Sequence, residues 1–210
     1  MPPTVPVRAR ERKGIDPLPT RVVIAEDEAI IRLDLKETLE EEGYEVVGET
    51  GRGDEAIDLV RLHEPDVAIL DIKMPGLDGL SATREITAER LAAVLILTAF
   101  SQRDLIEQAR DAGAMAYLVK PFQRSELIPA VEVAIGRFRE LKALAEQART
   151  AEDQLETRKL VDRAKGRLMD AHALTEQDAF SFIQKTAMRE RRTMRHVADE
   201  ILGGGLVPPT

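Results

Sequence analysis

The hydrophobic pattern of residues 21–124 alternates between short apolar runs and longer amphipathic stretches. The short runs occupy 22–25, 44–47, 67–70, 94–97 and 115–119. Each is followed by apolar residues at helical spacing, such as Ile31, Leu35 and Leu39 after the first run. The first, third and fourth runs are apolar on both faces, which is typical of parallel strands covered by helices on both sides. The pattern predicts an α/β doubly wound fold with a five-stranded parallel sheet.

The pattern changes at Ser125, after which apolar residues follow a heptad spacing. They are Leu127, Val131, Ala134, Phe138, Leu141, Ala145, Ala148 and Leu155. This spacing predicts a long helix over 125–155 and favours a coiled-coil seam. The alternative is an amphipathic helix that packs back on the sheet, which we expect for its first half, 127–138.

A small three-helix bundle is predicted after the long helix, over 156–203. Its first helix has apolar residues from Leu160 to Ala171 on one face. Thr175 is the predicted N-cap of a second helix with Phe180 and Met188 on its apolar face. Thr193 is the predicted cap of a short third helix that ends at a run of three glycines. The remaining predicted segments are a disordered leader over 1–20 and a flexible tail over 204–210.

Composition excludes several classes of protein. The 210 residues include no cysteine, which rules out disulfides, thiol nucleophiles and Cys-ligated metals. No apolar run is long enough to span a bilayer, and the N-terminal segment lacks the apolar stretch of a signal peptide. We therefore expect a cytoplasmic protein that does not bind membranes.

The formal net charge of −8 is distributed unevenly. Residues 21–124 contain 12 basic and 22 acidic residues, whereas residues 158–196 contain ten basic and five acidic residues. An acidic domain is therefore followed by a locally basic helical segment. Basic residues on a compact unit are typical of phosphate-backbone binding, although a solvated Arg-rich face has the same composition.

Polar residues stand at the ends of the predicted strands, where ligands bind in doubly wound sheets. The residues are Glu26 and Asp27, Asp71, Thr98, and Lys120. Three carboxylates suit a hard cation such as Mg²⁺, and an aspartate beside such a metal can accept a phosphoryl group. Each residue alone is common at a strand end, but their joint occurrence at four strand ends is specific.

Residues 21–124 resemble the receiver domain of two-component response regulators over their whole length. The resemblance is carried by Glu26-Asp27, Asp71-Ile72-Lys73-Met74-Pro75-Gly76, Thr98-Ala99 and Tyr117-Leu118-Val119-Lys120-Pro121-Phe122. It implies a flavodoxin-like fold, phosphorylation of Asp71 by a sensor histidine kinase, and a cis peptide before Pro121.

The receiver resemblance also implies a set of Mg²⁺ ligands. Asp27 and Asp71 would bind the ion directly, and Glu26 would bind it through a water molecule. The main-chain carbonyl of Lys73 would complete the protein ligands. An Asp-Asp pair is also frequent in this family, so the Glu26 position is a mild departure.

The same resemblance assigns the switch. Thr98 and Lys120 would bind the phosphoryl oxygens, and Tyr117 would change rotamer together with Thr98. The expected chemistry is self-phosphorylation and dephosphorylation at Asp71, so the chain is otherwise not expected to be an enzyme.

The segment from Glu156 to Leu202 resembles the ANTAR domain of RNA-binding transcription antiterminators. The matching stretches are 161–169, 174–176, 179–180, 187–188, 191–192, 197–198 and 201–202. The resemblance implies binding to stem-loops in a nascent transcript and transcription antitermination, by a chain that forms a homodimer on phosphorylation. We predict that the RNA contacts are made by Arg163, Lys165, Arg167, Arg191 and Arg192.

Two other functions remain open from the residues alone. A phosphorylation-switched DNA-binding regulator would need a polar recognition helix, but the last predicted helix is short and largely apolar. A protein-interaction switch would bind its partner with little dependence on salt.

Overall fold

The computed structural model describes residues 19–99 and 103–207. The predicted leader therefore lies outside the described residues, except for 19 and 20, and so does the end of the predicted tail, 208–210. The chain divides into two compact units, residues 1–140 and 141–210.

The first unit contains a five-stranded parallel sheet, which confirms the predicted fold class. The strands are β1 (Arg21–Ala25), β2 (Glu45–Thr50), β3 (Val67–Asp71), β4 (Ala93–Thr98) and β5 (Ala116–Val119). They are arranged in the order β2-β1-β3-β4-β5. The chain reverses its direction of progress across the sheet after β2, so β1 and β3 lie side by side at the switch point.

Helices cover both faces of this sheet. They are α1 (Ala29–Glu41), α2 (Gly53–His63), α3 (Gly79–Ala88), α4 (Arg103–Asp111) and the start of α5 (Arg124–His172). One apolar core lies on each face of the sheet, and successive residues of β1 point into different cores. Val23 packs with residues of α2, α3 and α4. Ile24 packs instead with residues of α1 and α5. Burial of both faces explains the continuous apolar runs of the central strands.

The predicted second strand was placed too early. The run at 44–47 is only its apolar part, and β2 extends to Thr50, which pairs with Ala25 of β1. β2 lies at the edge of the sheet. An edge strand tolerates exposed polar residues, and hydropathy therefore underestimates its length.

The second unit is formed by the end of α5 with α6 (Glu176–Glu190) and α7 (Met194–Gly203). Its core includes Val161, Leu168 and Ile183. The predicted caps are confirmed, since Thr175 accepts a hydrogen bond from the Asp178 N–H and Thr193 accepts one from the His196 N–H. The helix α5 runs without interruption through the predicted boundary at 155/156.

None of the helices within 19–99 and 103–207 combines the length and the apolar character that a membrane span requires.

Candidate functional site

The carboxyl ends of β1 and β3 bring three carboxylates together. Glu26, Asp27 and Asp71 each offer an oxygen within 4.8 Å of the others. Glu26 is fully buried and Asp71 is nearly so, whereas Asp27 is exposed. Close approach of α3 shapes this end of the sheet: a Cβ on Gly79 would lie 1.9 Å from the main-chain oxygen of Asp71. Only glycine fits there.

Lys120 follows β5 and lies between two of these carboxylates. Its Nζ is 2.5 Å from Oε2 of Glu26 and 2.9 Å from Oδ2 of Asp71. Burial disfavours the ammonium, but the hydrogen bonds to Glu26 and Asp71 outweigh it and raise the pKa of Lys120. Burial raises the pKa of Glu26, and the contact with Lys120 offsets only part of that effect.

Three carboxylates facing one ammonium leave this cluster with an excess of negative charge. Oxygen ligands in this arrangement suit a hard divalent cation that keeps several of its waters. A cavity of about 240 Å³ adjoins the carboxylates and is lined by Asp27, Asp71, Lys73, Thr98 and Lys120, together with Glu28 and Ala99. The residues therefore fit Mg²⁺.

The predicted switch residues lie next to the cavity. Thr98 is fully buried at the end of β4, and its side chain is hydrogen-bonded to that of Tyr117. The Lys120–Pro121 peptide is cis, as the receiver resemblance implies. The structure thus brings together Glu26, Asp27, Asp71, Thr98 and Lys120 as the strand ends predict; their roles stay predictions.

Two groups at this site were not predicted from the sequence. The Ile72 N–H donates to Oδ1 of Asp71 over 2.7 Å, so the main chain and Lys120 each hold one oxygen of this carboxylate. Every residue except proline has a main-chain N–H, so the sequence does not indicate which of them donates to a side chain. Glu28 also lines the cavity, and the acidic run Glu26-Asp27-Glu28 is the signal that could have indicated it.

In the second unit, three of the five predicted RNA-contacting residues already have partners within the domain. Lys165 Nζ lies 2.8 Å from Asp162 and 2.8 Å from Glu176. Arg167 donates to the main-chain oxygen of Leu202, near the end of α7. These contacts join α5 to α6 and to α7.

Arg192 is the third of these residues. Its guanidinium lies 3.0 Å from Glu190 and 2.8 Å from Glu200. By contrast, Arg163 and Arg191 are exposed. Neither forms an ion pair within the described part of the chain, so these two are the free cations of the predicted set.

Two residues of the predicted apolar face of α6 are in fact exposed. Phe180 is 41% exposed and Met188 is 71% exposed. The core face of α6 is narrower than the sequence pattern indicated, because Ala179, Ile183 and Ala187 fill it. The prediction that Phe180 and Met188 lie in the core was therefore wrong. Ala171, predicted on the apolar face of the preceding helix, is also exposed.

Comparison with known protein families covers both units. Residues 22–132 match the model of the response regulator receiver domain, and residues 146–202 match that of the ANTAR domain. The chain belongs to the response regulators with an ANTAR domain. These matches confirm the two resemblances identified from sequence motifs.

Two curated relatives match portions of different length in this response regulator. It is 60% identical over 185 residues to the transcriptional regulatory protein PdtaR of Mycobacterium tuberculosis, covering 88% of this chain and 90% of that protein. It is 35% identical over 117 residues to the chemotaxis protein CheY of Bacillus subtilis, covering 55% of this chain and 98% of CheY. The first match spans both domains, and the second is confined to the receiver.

Solved structures resemble the receiver domain. The receiver domain of NarL from Mycobacterium tuberculosis has a TM-score of 0.55 and 32% identity, covering 57% of this chain and 98% of that chain. The receiver domain of the histidine kinase PA1611 from Pseudomonas aeruginosa, solved with a magnesium ion in its active-site cleft, has a TM-score of 0.51 and 31% identity. It covers 56% of this chain and 98% of that one.

The family establishes a coarse function. The chain is a phosphorylation-dependent regulator of the ANTAR type. Receiver domains are phosphorylated by histidine kinases and bind Mg²⁺, and ANTAR domains bind RNA. The acidic cluster of this response regulator lies where the Mg²⁺ site of a receiver would be.

Proposed function

We propose that a sensor histidine kinase phosphorylates Asp71, and that this promotes dimerisation and binding of the ANTAR domain to RNA stem-loops in a nascent transcript, in the cytoplasm. Binding prevents formation of a terminator and causes transcription antitermination. The observation that carries the proposal is the buried cluster of Asp71 and Lys120 in a chain whose C-terminal part matches the ANTAR domain.

The proposed phosphoryl transfer uses Asp71 as the nucleophile. A carboxylate oxygen attacks the phosphorus of the kinase phosphohistidine, the P–N bond breaks, and the histidine nitrogen retains the bonding pair and takes up a proton. The Ile72 N–H and the Lys120 ammonium orient the carboxylate. Later attack by water on the phosphorus breaks the bond to the Asp71 oxygen, releases inorganic phosphate and returns Asp71 to its carboxylate form. We propose no other catalytic activity.

The proposed metal ligands are those at the end of the sheet. Asp27, Asp71 and the main-chain carbonyl of Lys73 would hold Mg²⁺ directly, and Glu26 would hold it through water. The bound ion supplies charge neutralisation at the phosphoryl oxygens. The excess negative charge of the cluster and the magnesium ion in the PA1611 receiver support this assignment.

The proposed switch follows from charge. Phosphorylation replaces the single negative charge of the Asp71 carboxylate by a phosphoryl group with a charge of about −1.5 to −2, which attracts the Lys120 ammonium and the Thr98 hydroxyl. Thr98 is hydrogen-bonded to Tyr117, so a movement of Thr98 changes the environment of the tyrosine ring. Phosphorylation then shifts the population of two arrangements of this surface.

The proposed dimer interface is the heptad seam in the middle of α5. Leu141 and Leu155 are each 53% exposed, and Ala148 between them is also exposed. Apolar residues at heptad spacing on one helix are buried when a second copy of that helix packs alongside. A dimer would also hold two ANTAR domains together and raise their avidity for tandem stem-loops.

A matched pair of substitutions tests the seam. Ala148→Glu places a charge in it, whereas Ala143→Glu places the same charge on the opposite face of the same helix. We expect sedimentation of the phosphorylated chain to give a dimer for the wild type and Ala143→Glu and a monomer for Ala148→Glu. A dimer for both variants would contradict the seam.

A titration series tests the complete proposal. Stem-loop RNA and duplex DNA of matched length are titrated with the chain, with and without Mg²⁺ and acetyl phosphate as phosphoryl donor. We expect phosphorylation to increase RNA affinity for the wild type and for Asp58→Asn, an exposed-residue control, but not for Asp71→Asn. Preference for duplex DNA would instead indicate a DNA-binding regulator. Binding of neither nucleic acid would favour a protein-interaction switch.

A further inference from the structure

The ANTAR domain presents one aromatic ring to solvent. Residues 141–210 contain two aromatic residues, Phe180 and Phe182. Phe182 is half-buried against the core of the three helices, whereas Phe180 is 41% exposed. The Phe180 ring borders an open cavity of about 520 Å³ that is also lined by Lys165, Thr175, Glu176 and Gln177. An aromatic ring beside polar side chains in a concave surface is a combination that binds flat ring systems.

The charges at this cavity do not suit a phosphate group. Lys165 is the only cation that lines it within the described residues, and its Nζ already contacts Asp162 and Glu176, each at 2.8 Å. Two carboxylates around one ammonium leave a net negative charge, which repels a phosphate. Phosphate contacts are therefore expected elsewhere on the domain, at exposed unpaired cations such as Arg163 and Arg191.

The polar groups that remain at the cavity are the Gln177 amide, which can donate and accept hydrogen bonds, and the Glu176 carboxylate, which only accepts them. The Glu176 side chain is 71% exposed, so its carboxylate is accessible from the cavity while one oxygen contacts Lys165. The Thr175 hydroxyl is engaged with Asp178. A ring face beside a carboxylate matches a nucleobase, which offers a π-face for stacking and N–H donors at its edge.

We propose that this cavity binds one unpaired nucleobase of the RNA loop, stacked on Phe180 with its edge towards Glu176. The inference rests on the proposed RNA binding and names the site that reads the loop. Loop bases are the ones available to such a site, because they are unstacked and can be splayed out.

The acceptor at the rim makes the site selective among bases. A carboxylate accepts hydrogen bonds from the amino groups of guanine, adenine and cytosine. In uracil the single edge donor lies between two carbonyl oxygens, which the carboxylate repels. A base with an amino group is therefore favoured over uracil at the stacked position.

The test uses the full phosphorylated chain and a stem-loop RNA selected on the wild type from a pool with randomised loops. Phe180→Leu removes the ring and keeps an apolar side chain. We expect its RNA affinity to fall by about 5- to 150-fold, the range for loss of one base–aromatic stack. Phe180→Trp retains a ring and should retain binding. Met188→Ala, two helical turns along α6, is the control that leaves affinity unchanged.

A second arm identifies the stacked base. Each loop nucleotide is made abasic in turn, and one position should weaken binding to the wild type while leaving binding to Phe180→Leu unchanged. Equal affinity of the wild type and Phe180→Leu would overturn the stacking site alone. So would equal sensitivity of both proteins to every abasic position. Failure of the wild type to select any RNA would overturn the proposed function and this site with it.

Discussion

In the receiver domain, carboxylates outnumber cations inside one largely buried cluster, whereas in the ANTAR domain cations and carboxylates pair near the surface. Glu26 and Asp71 share the single ammonium of Lys120 and leave a negative excess that a divalent cation can neutralise. In the ANTAR domain, Arg192 is bound by Glu190 and Glu200. Two carboxylates face one cation in both places, but the side chains of Glu26 and Asp71 are largely buried, whereas those of Glu190 and Glu200 are about one third exposed. Water can therefore stabilise the excess charge in the ANTAR domain, whereas the receiver cluster needs a bound cation.

This difference changes how the charge of each domain is interpreted. In the receiver, the acidic count indicates a site because the charges converge in one place and lose their hydration there. In the ANTAR domain, the basic count overestimates the cations available to RNA, because Lys165, Arg167 and Arg192 already have partners. Of the five residues predicted to contact RNA, Arg163 and Arg191 are the most available for phosphate contacts, because neither forms an ion pair within the described residues.

The largest expected effect tests whether the apolar core, rather than these ion pairs, stabilises the ANTAR domain. Ile183 is fully buried in α6. Ile183→Ala should lower the free energy of unfolding by about 2–5 kcal/mol, since it removes buried methyl groups and leaves a cavity. Urea denaturation followed by circular dichroism measures the loss. Met188→Ala, at an exposed position of the same helix, should stay within about 0.5 kcal/mol of the wild type.

Next in size is the effect of removing one carboxylate from the receiver cluster. Glu26→Gln should stabilise the Mg²⁺-free chain at pH 7, because burying a neutral amide costs less free energy than burying a carboxylate. The same change should reduce the stabilisation that added Mg²⁺ provides. Thermal unfolding with and without Mg²⁺ measures both effects.

The contribution of Glu26 to the free energy of unfolding should also depend on pH, in a direction that its raised pKa determines. Burial raises the pKa of Glu26 from its ordinary value of 4.5, so the folded chain holds the proton more tightly than the unfolded chain. The contribution of Glu26 to stability therefore falls as the pH rises from 4.5 through its folded pKa. Glu26→Gln should remove this part of the decline, whereas Glu37→Gln, at an exposed position of α1, should retain it. A parallel decline in both variants would contradict the assignment.

A smaller effect on stability is expected from a substitution at Arg191. This substitution should change stability and RNA affinity in opposite directions. This residue ends α6 with a φ of 53°, in the left-handed region that favours glycine. Arg191→Gly should raise the free energy of unfolding by up to about 1 kcal/mol. It should also lower RNA affinity and reduce the slope of log affinity against log salt by about 1. Unchanged salt dependence would exclude Arg191 from phosphate contacts.

The smallest effect is expected at the neighbouring Arg192. Arg192→Ala leaves Glu200 without its cation and Glu190 with Arg189 alone, so it should destabilise the ANTAR domain slightly, by much less than Ile183→Ala. The sign is opposite to that of Arg191→Gly. Measuring both by urea denaturation in low and high salt tests the distinction, since the Arg192 loss should shrink as salt screens the pairs.

Much of the receiver site could be predicted from the sequence. Parallel strands deliver their last residues to the same edge of the sheet. The positions of Glu26, Asp71 and Lys120 at strand ends were therefore enough to bring them together, although 49 residues separate Asp71 from Lys120. The Ile72 N–H was not predictable, because a main-chain donor is identical at every non-proline residue.

The contacts within the ANTAR domain were harder to predict from the sequence. Arg167 contacts Leu202 at a separation of 35 residues and Lys165 contacts Glu176 at a separation of 11. These contacts depend on the angles at which three helices pack. Helical periodicity also placed Phe180 in the core, because it lies close to the apolar face of α6 and only packing decides which flanking residues are covered.

The sequence by itself determined the sheet, the caps of α6 and α7, and the convergence of the acidic residues, because periodicity and strand polarity are local properties with a fixed spatial consequence. Only the tertiary structure decided which cations are paired and that Phe180 is exposed beside Glu176 and Lys165. These outcomes depend on distances between side chains from different helices. Such distances are set by how the helices pack around a shared core.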